Sequence, residues 1–126
     1  MKTLQVLESA YRATVEEQDD TIVWLTHAMA GAGGQFGLLL TGNAVCYASK
    51  EQRAPALAIG GWQQSHAPDL SADISALAAK GIAIYAVEED LEERGLLDAR
   101  LIDAMTVVSR TGLPRLLEEY PRVWKW

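Results

Sequence analysis

The chain holds one thiol, Cys46, and two imidazoles, His27 and His66, as its candidates for nucleophilic or metal chemistry. Cys46 follows Gly42-Asn43, a pair that reads as the turn from a buried strand into a helix. Asn43 would cap that helix, and backbone N–H groups at such a turn can hold a small anion, although turn and cap chemistry alone explains the pair. A thiol one turn inside a helix gains thiolate stability from the dipole, which suits nucleophilic or persulfide chemistry. The plainer reading packs Cys46 as a small apolar side chain beside Val45 and Tyr47, since no His or Arg lies near it in sequence. Glu88, Glu89, Asp90, Glu92 and Glu93 supply carboxylates enough for acid–base work. No spacing pairs two of them across a substrate, and acids in a first helical turn are explained by the dipole. His27 and His66 read as solvated, and with one cysteine they make neither a metal-ligand pattern nor a triad. No metal or cofactor is expected.

Gly31-Ala32-Gly33-Gly34 has the glycine content of a phosphate loop but the wrong context. It follows a helix and precedes a strand, whereas phosphate loops follow a strand and open a helix. It reads as a helix terminator.

The elements that position these residues alternate between strand and helix. Leu4 to Leu7 reads as a strand; apolar Val15, Ile22, Leu25, Met29 and Ala32 suit one helix face between Thr14 and Ala32. Two start signals compete there, a Thr14/Glu17 capping box and Asp20 before Thr21. Phe36 to Leu40 is a continuous apolar run, as expected of a parallel strand covered on both faces. Periodicity then fails from Lys50 to Asp69, where Pro55, Gly60, Gly61 and Pro68 punctuate a stretch carrying Trp62, Gln63, Gln64 and His66. Ser71 is expected to cap a helix with Ile74, Leu77 and Ala78 inward and Gly81 as its stop. Ile82 to Val87 reads as a strand, Glu88 to Arg94 as a short helix stopped by Gly95, and Leu97 to Ala104 as another helical piece. Met105 to Ser109 reads as a strand, Thr111 as the cap of a helix with Leu113, Leu116, Leu117 and Tyr120 inward, and residues 122–126 as a last strand. Trp124 and Trp126 in that strand require either docking against the sheet or cover from a partner. The expected fold is a single domain over residues 1–126, a three-layer α/β/α sandwich around a mainly parallel sheet of about five strands.

Composition narrows the partners. Eleven basic against seventeen acidic residues give a net charge of −6, so direct nucleic-acid binding is not expected. No segment reaches the roughly 18 apolar residues of a membrane span, and one unpaired thiol fits a cytoplasmic location.

The stretch Ile82-Ala83-Ile84-Tyr85-Ala86-Val87-Glu88-Glu89-Asp90-Leu91-Glu92-Glu93-Arg94-Gly95-Leu96, followed by a strand, a helix and Trp126, resembles the DsrH/TusB branch of the DsrE/DsrF/DsrH sulfur-relay superfamily. That branch carries a Tyr-Ala-Leu-x-Glu-Asp-Leu-x-x-Arg-Gly stretch and a terminal tryptophan. Asp20-Thr21-Ile22 and the segment from Phe36 to Tyr47 are similar to the superfamily's first βαβ unit, while residues 50–69 are longer than the branch has there. The resemblance implies an α/β sandwich in the cytoplasm and a hetero-oligomer with DsrE/TusD-like and DsrF/TusC-like paralogous subunits. Such complexes pass persulfide sulfur between cysteines, for tRNA thiolation or sulfur oxidation. Their sulfur-carrying cysteine stands at the end of the third strand, a position matched here by Val87. The resemblance therefore implies a noncatalytic partner subunit. Two alternatives are a Cys46-dependent sulfur carrier and a homo-oligomeric, noncatalytic small-ligand module in which the region of Trp62 and His66 is a lid or contact.

Overall fold

The computed structural model describes residues 1–12 and 14–126, with the side chains of residues 15 and 16 outside the description. Five parallel strands, β1 (Thr3–Leu7), β2 (Phe36–Leu40), β5 (Ala83–Val87), β6 (Met105–Val108) and β7 (Arg122–Lys125), form one sheet in the order β6-β5-β2-β1-β7. A hairpin of β3 (Ala58–Ile59) and β4 (Trp62–Gln63), turning at Gly60-Gly61, occupies the segment that showed no periodicity.

The strand order dictates the layers. From β1 to β2, β5 and β6 the chain steps always in one direction, and right-handed crossovers then deliver every connection to one face of the sheet. That face carries α2 (Thr21–Gly31), α3 (Leu70–Ala79), α4 (Glu88–Glu93) and a 3-10 helix over Gly42–Ala48. Its core joins Leu7, Leu38, Leu40, Ile84 and Ala86 of the strands to Val23, Ile74, Leu77 and Leu91 of the helices. The step from β6 back across to β7 reverses direction and puts α5 (Leu113–Glu118) on the other face, over Leu4, Val6, Leu39 and Val87. The result is the three-layer α/β/α sandwich expected, with a fully parallel five-stranded sheet.

Each face has its fixing device. On the α5 side Tyr120 lies across Gly37, and a Cβ at that glycine would sit 2.3 Å from the Tyr120 hydroxyl. The lack of a side chain in the middle of β2 is thus what admits the ring. On the α2 side Gln5 is wholly buried on β1, yet its amide is satisfied: Nε2 donates to Thr26 Oγ1 at 3.4 Å and Oε1 accepts from the Trp126 indole at 2.7 Å. Those bonds remove the desolvation cost a buried amide would otherwise incur.

Several local expectations are corrected. Of the two start signals, Asp20 prevails: its Oδ1 accepts from the N–H groups of Ile22 and Val23, and α2 begins at Thr21. Thr14–Glu17 is a separate turn, α1, and the expected packing of Val15 lies outside the described side chains. Asp69, not Ser71, caps α3 by accepting from the Ala72 N–H. No helix forms over residues 97–104. There the backbone is drawn out to pair with the end of the 3-10 helix, through Lys50 N–H to Arg100 O, Ile102 N–H to Ala48 O and a bridge between Ser49 and Leu101. Gly112 rather than Thr111 precedes α5, because Thr111 belongs to a 3-10 turn over Arg110–Gly112. Leu116 and Tyr120 face inward as expected, whereas Leu117 is exposed.

Candidate functional site at the carboxyl edge

β2 and β5 are neighbours, and the segments following them meet at the carboxyl edge of the sheet, where open α/β sheets place their ligands. The 3-10 helix after β2 carries Cys46, and α4 follows β5 directly after Val87. Two arrangements result, a cavity and a clamp.

The cavity is about 520 Å³ and is lined by Cys46, Tyr11, Ser49, Glu51, Gln52, and Gly95, Leu96, Asp98 and Ala99 of the turn after α4. Cys46 is half-buried there, so the expectation of a fully packed core thiol is corrected. The expected dipole assistance is corrected too. The segment is 3-10, capped backbone-wise by Thr41, and Cys46 is its fifth residue, with its carbonyl already accepting from the Ser49 N–H at the far end. That is the end where carbonyls, not N–H groups, are unsatisfied. Glu51 and Asp98 add carboxylates, and no Lys, Arg or His lines the cavity among the described residues. The cavity thus offers Cys46 no basic partner of the kind that activates a nucleophilic thiol.

Tyr11 and Tyr47 anchor one wall. Their rings meet edge to face at 5.0 Å, and the buried Tyr47 hydroxyl accepts from the Tyr11 N–H at 2.6 Å and donates to Asp20 Oδ2 at 2.6 Å. Tyr11 Oη donates to Gln52 Oε1, and Gln52 Nε2 donates to the carbonyls of Tyr47 and Ser49. Burial, then the proximity of Cys46, pushes the Tyr11 hydroxyl up to about 12. Burial and its bond to Asp20 push Tyr47 up as well. Both phenols thus stay protonated at neutral pH and act as hydrogen-bond donors.

The clamp is built from the acidic run, which sequence reasoning assigned only to the dipole. Asp90 Oδ2 accepts from the Gly42 N–H and Oδ1 from Arg110 Nη2, each at 2.8 Å. Glu89 receives the Arg110 N–H on both carboxylate oxygens, at 2.8 and 2.9 Å. Arg94 Nε donates to Asn43 Oδ1 at 3.0 Å, so Asn43 binds α4 instead of capping a helix. Leu91 is buried, and Gly95 takes a φ of +67°, a conformation that favours glycine. Glu89, Asp90 and Arg94 thus hold the β2 and β6 exits to α4, while Leu91 seats α4 in the core. The pattern of these residues was readable in sequence; Arg110, the common partner of Glu89 and Asp90, carried no signal.

Val87 is 1% exposed and packs with Leu4, Leu39 and Leu116 under α5. Neither histidine joins the site. His27 is half-buried, with Nε2 3.0 Å from the Asp73 carbonyl, so it ties α2 to α3 and is not simply solvated. His66 is exposed, with Nδ1 near Ser65 Oγ. No group of His, Cys, Asp or Glu among the described residues could hold a metal ion, and no described helix is long and apolar enough to cross a membrane. A cavity of about 570 Å³ opens at the opposite, amino-terminal edge, with Lys2 and Lys80 on its wall. It lies where α2 and α3 end, and Lys80 is the C-cap residue of α3, a place where a cation is favourable. Gly31 and Gly34 also line that cavity, and the Gly31-Ala32-Gly33-Gly34 run ends α2 as expected.

No family model matches the chain, and no curated protein matches it in sequence. Solved structures do. The chain is similar over its whole length to the ychN protein from E. coli, with a TM-score of 0.71 at 14% identity and full coverage of both chains. It is similar to BT1422 from Bacteroides thetaiotaomicron, at 0.65 and 15% identity over 98% of this chain and 94% of that one. It is also similar to MTH1491 from Methanobacterium thermoautotrophicum, at 0.62 and 14% identity over 99% and 97%. The last two are described as proteins of unknown function. At such identities the likeness establishes a common fold: the chain shares the architecture of ychN from end to end.

Proposed function

We propose that the chain is a DsrH/TusB-like subunit of a sulfur-relay complex, itself noncatalytic, assembled with DsrE/TusD-like and DsrF/TusC-like paralogues. The single observation that carries the reading is Val87. It stands at the end of the strand where the resemblance puts the sulfur-carrying cysteine, and it is a buried hydrocarbon under α5. A side chain without sulfur, sealed from solvent, offers no persulfide to an acceptor. The clamp supports the same reading, because the residues of the Glu89-Asp90-Leu91-x-x-Arg94-Gly95 pattern hold chain segments together and leave none of their charges aimed at a substrate. The fold shared with ychN agrees with a DsrE-like assignment. Affinity purification of the tagged chain from its native host tests the proposal. Recovery in a complex with two related α/β chains, one bearing the strand-end cysteine, is the expected result; recovery with no such companion overturns it.

A second reading has its own observation, the half-buried Cys46 in an open cavity. Here the Cys46 sulfur would attack the outer sulfur of thiosulfate, forming the new S–S bond of a persulfide as the donor's own S–S bond breaks and its electron pair leaves with sulfite. Because no Lys, Arg or His lines the cavity among the described residues to activate the thiol, the expected outcome is that intact-mass analysis after donor treatment shows no added sulfur. An adduct that disappears in Cys46→Ala would shift the assignment to a carrier.

A further inference from the structure

β7 is an edge strand whose far side has no partner among the described residues, and all four of its residues are exposed. Its geometry is well defined. The Trp126 N–H bonds to Val6 O, and N–H groups alternate along a strand, so Trp124 and Arg122 also turn theirs toward β1. The N–H and C=O groups of Val123 and Lys125 therefore point outward, off the sheet. Trp124 lies with Arg122 and the Trp126 indole on the α2 face, 38% and 40% of the two tryptophans remaining exposed, while Val123 on the α5 face is 45% exposed.

Edge strands are usually protected by charge, and this one has two cations. Neither stands in the way of an approaching strand. Lys125 Nζ is held by Glu8 at 3.1 Å on the chain's own surface, and the Arg122 guanidinium lies 5.9 Å from the Trp124 ring centroid.

We propose that β7 pairs antiparallel with β7 of a second copy, centred on Trp124, so that two five-stranded sheets become one of ten. The register is chosen by charge and by hydrogen bonding. A two-fold axis perpendicular to the sheet keeps faces matched, which restricts the centre to a residue. Centring on Arg122 or Lys125 sets like charges opposite each other, which is destabilising. Centring on Val123 sets Lys125 against Pro121, which has no N–H to give. Centring on Trp124 sets Val123 against Lys125 of the second copy, twice, forming four backbone hydrogen bonds from the four outward N–H groups. It also sets each Arg122 against a Trp126, a cation over an indole, and brings the two Trp124 side chains together in a pair without backbone bonds, the kind with the closer side chains. Charge complementarity and complete use of the free backbone groups coincide in that one register.

The pairing involves neither the cavity nor the clamp and does not depend on the sulfur-relay reading. Sedimentation of the full chain across micromolar concentrations is expected to show a reversible dimer. Val123→Pro removes an outward N–H from each copy and none of the bonds to β1; it is expected to weaken the dimer by about tenfold or more, with the thermal transition retained. Register is read by cross-linking in a Cys46→Ala background. Trp124→Cys places two thiols across a pair whose Cα atoms lie about 4.5 Å apart, within disulfide range, and should oxidise to a covalent dimer. Val123→Cys faces Lys125 of the second copy and should not. A monomer at every concentration, or equal cross-linking at both positions, overturns the proposal. A chain that cross-links through Trp124→Cys but recruits no paralogue leaves the pairing intact and removes the relay assignment alone.

Discussion

Replacing Asp20 with alanine is expected to lower stability by about 3–5 kcal/mol, a fall in midpoint temperature of roughly 10–20 °C for a domain of this size. Three bonds end on this carboxylate, which is 1% exposed. Its Oδ1 caps α2 through Ile22 and Val23, and its Oδ2 accepts from the buried Tyr47 hydroxyl. Loss of an N-cap alone costs about 1 kcal/mol. The larger part comes from Tyr47, whose hydroxyl is left buried without its acceptor while still receiving the Tyr11 N–H. Asp20→Asn keeps an acceptor for the helix N–H groups and is expected to lose about half as much. Urea denaturation of both variants measures this. A loss below about 1 kcal/mol for the alanine variant would show that Asp20 is only a helix cap and that the Tyr11–Tyr47 wall stands without it.

The second large effect is expected at Gly37. A methyl group there would lie 2.3 Å from the Tyr120 hydroxyl and 2.6 Å from its ring carbon Cζ, distances that no side-chain contact sustains. The ring is packed in the α5-side core with its hydroxyl 3.3 Å from that of Tyr85, so making room for the methyl group means repacking that pair. Gly37→Ala should cost about 2–3 kcal/mol through overpacking. A double-mutant cycle isolates the cause. With Tyr120→Ala already present, the same glycine substitution should cost over 1 kcal/mol less. Strict additivity would place the damage in the β2 backbone and not in the contact with the ring.

These two sites also show what the sequence made legible. The buried central strands were readable because a parallel strand covered on both faces must be apolar throughout, and Phe36 to Leu40 and Ile82 to Val87 are. Asp20 was readable as one of two competing caps, and the contest was decided by a partner 27 residues away, Tyr47, which no local rule contains. The stretch over residues 97–104 was misread as helical because its apolar spacing is set by a neighbour: Leu101 bridges Ser49 and Ile102 bonds to Ala48. The hairpin at residues 58–63 was hidden because two-residue strands are too short for a period-2 signal. At the candidate site the acidic run was visible but its targets were not. Asp90 and Glu89 meet Arg110 and Gly42 only because β5, β6 and β2 end at the same edge of the sheet. Exposure of Cys46 likewise depends on where the turn after α4 passes, a matter of tertiary placement.

The pairing of β1 with β7 joins Thr3 to Arg122, residues far apart in sequence. Contacts of such high order are slow to form, since the loop between them must close first. Synthesis runs in sequence order, so β1 and β2 can associate early, while the other flank of β1 must wait for β7, more than a hundred residues later. Until then Gln5 has no indole to bond, and the sheet presents an open border at its oldest strand. β7 therefore acts as a closing latch on a sheet whose first strand is made long before it, and the chain is most prone to aberrant strand pairing at β1 until β7 arrives.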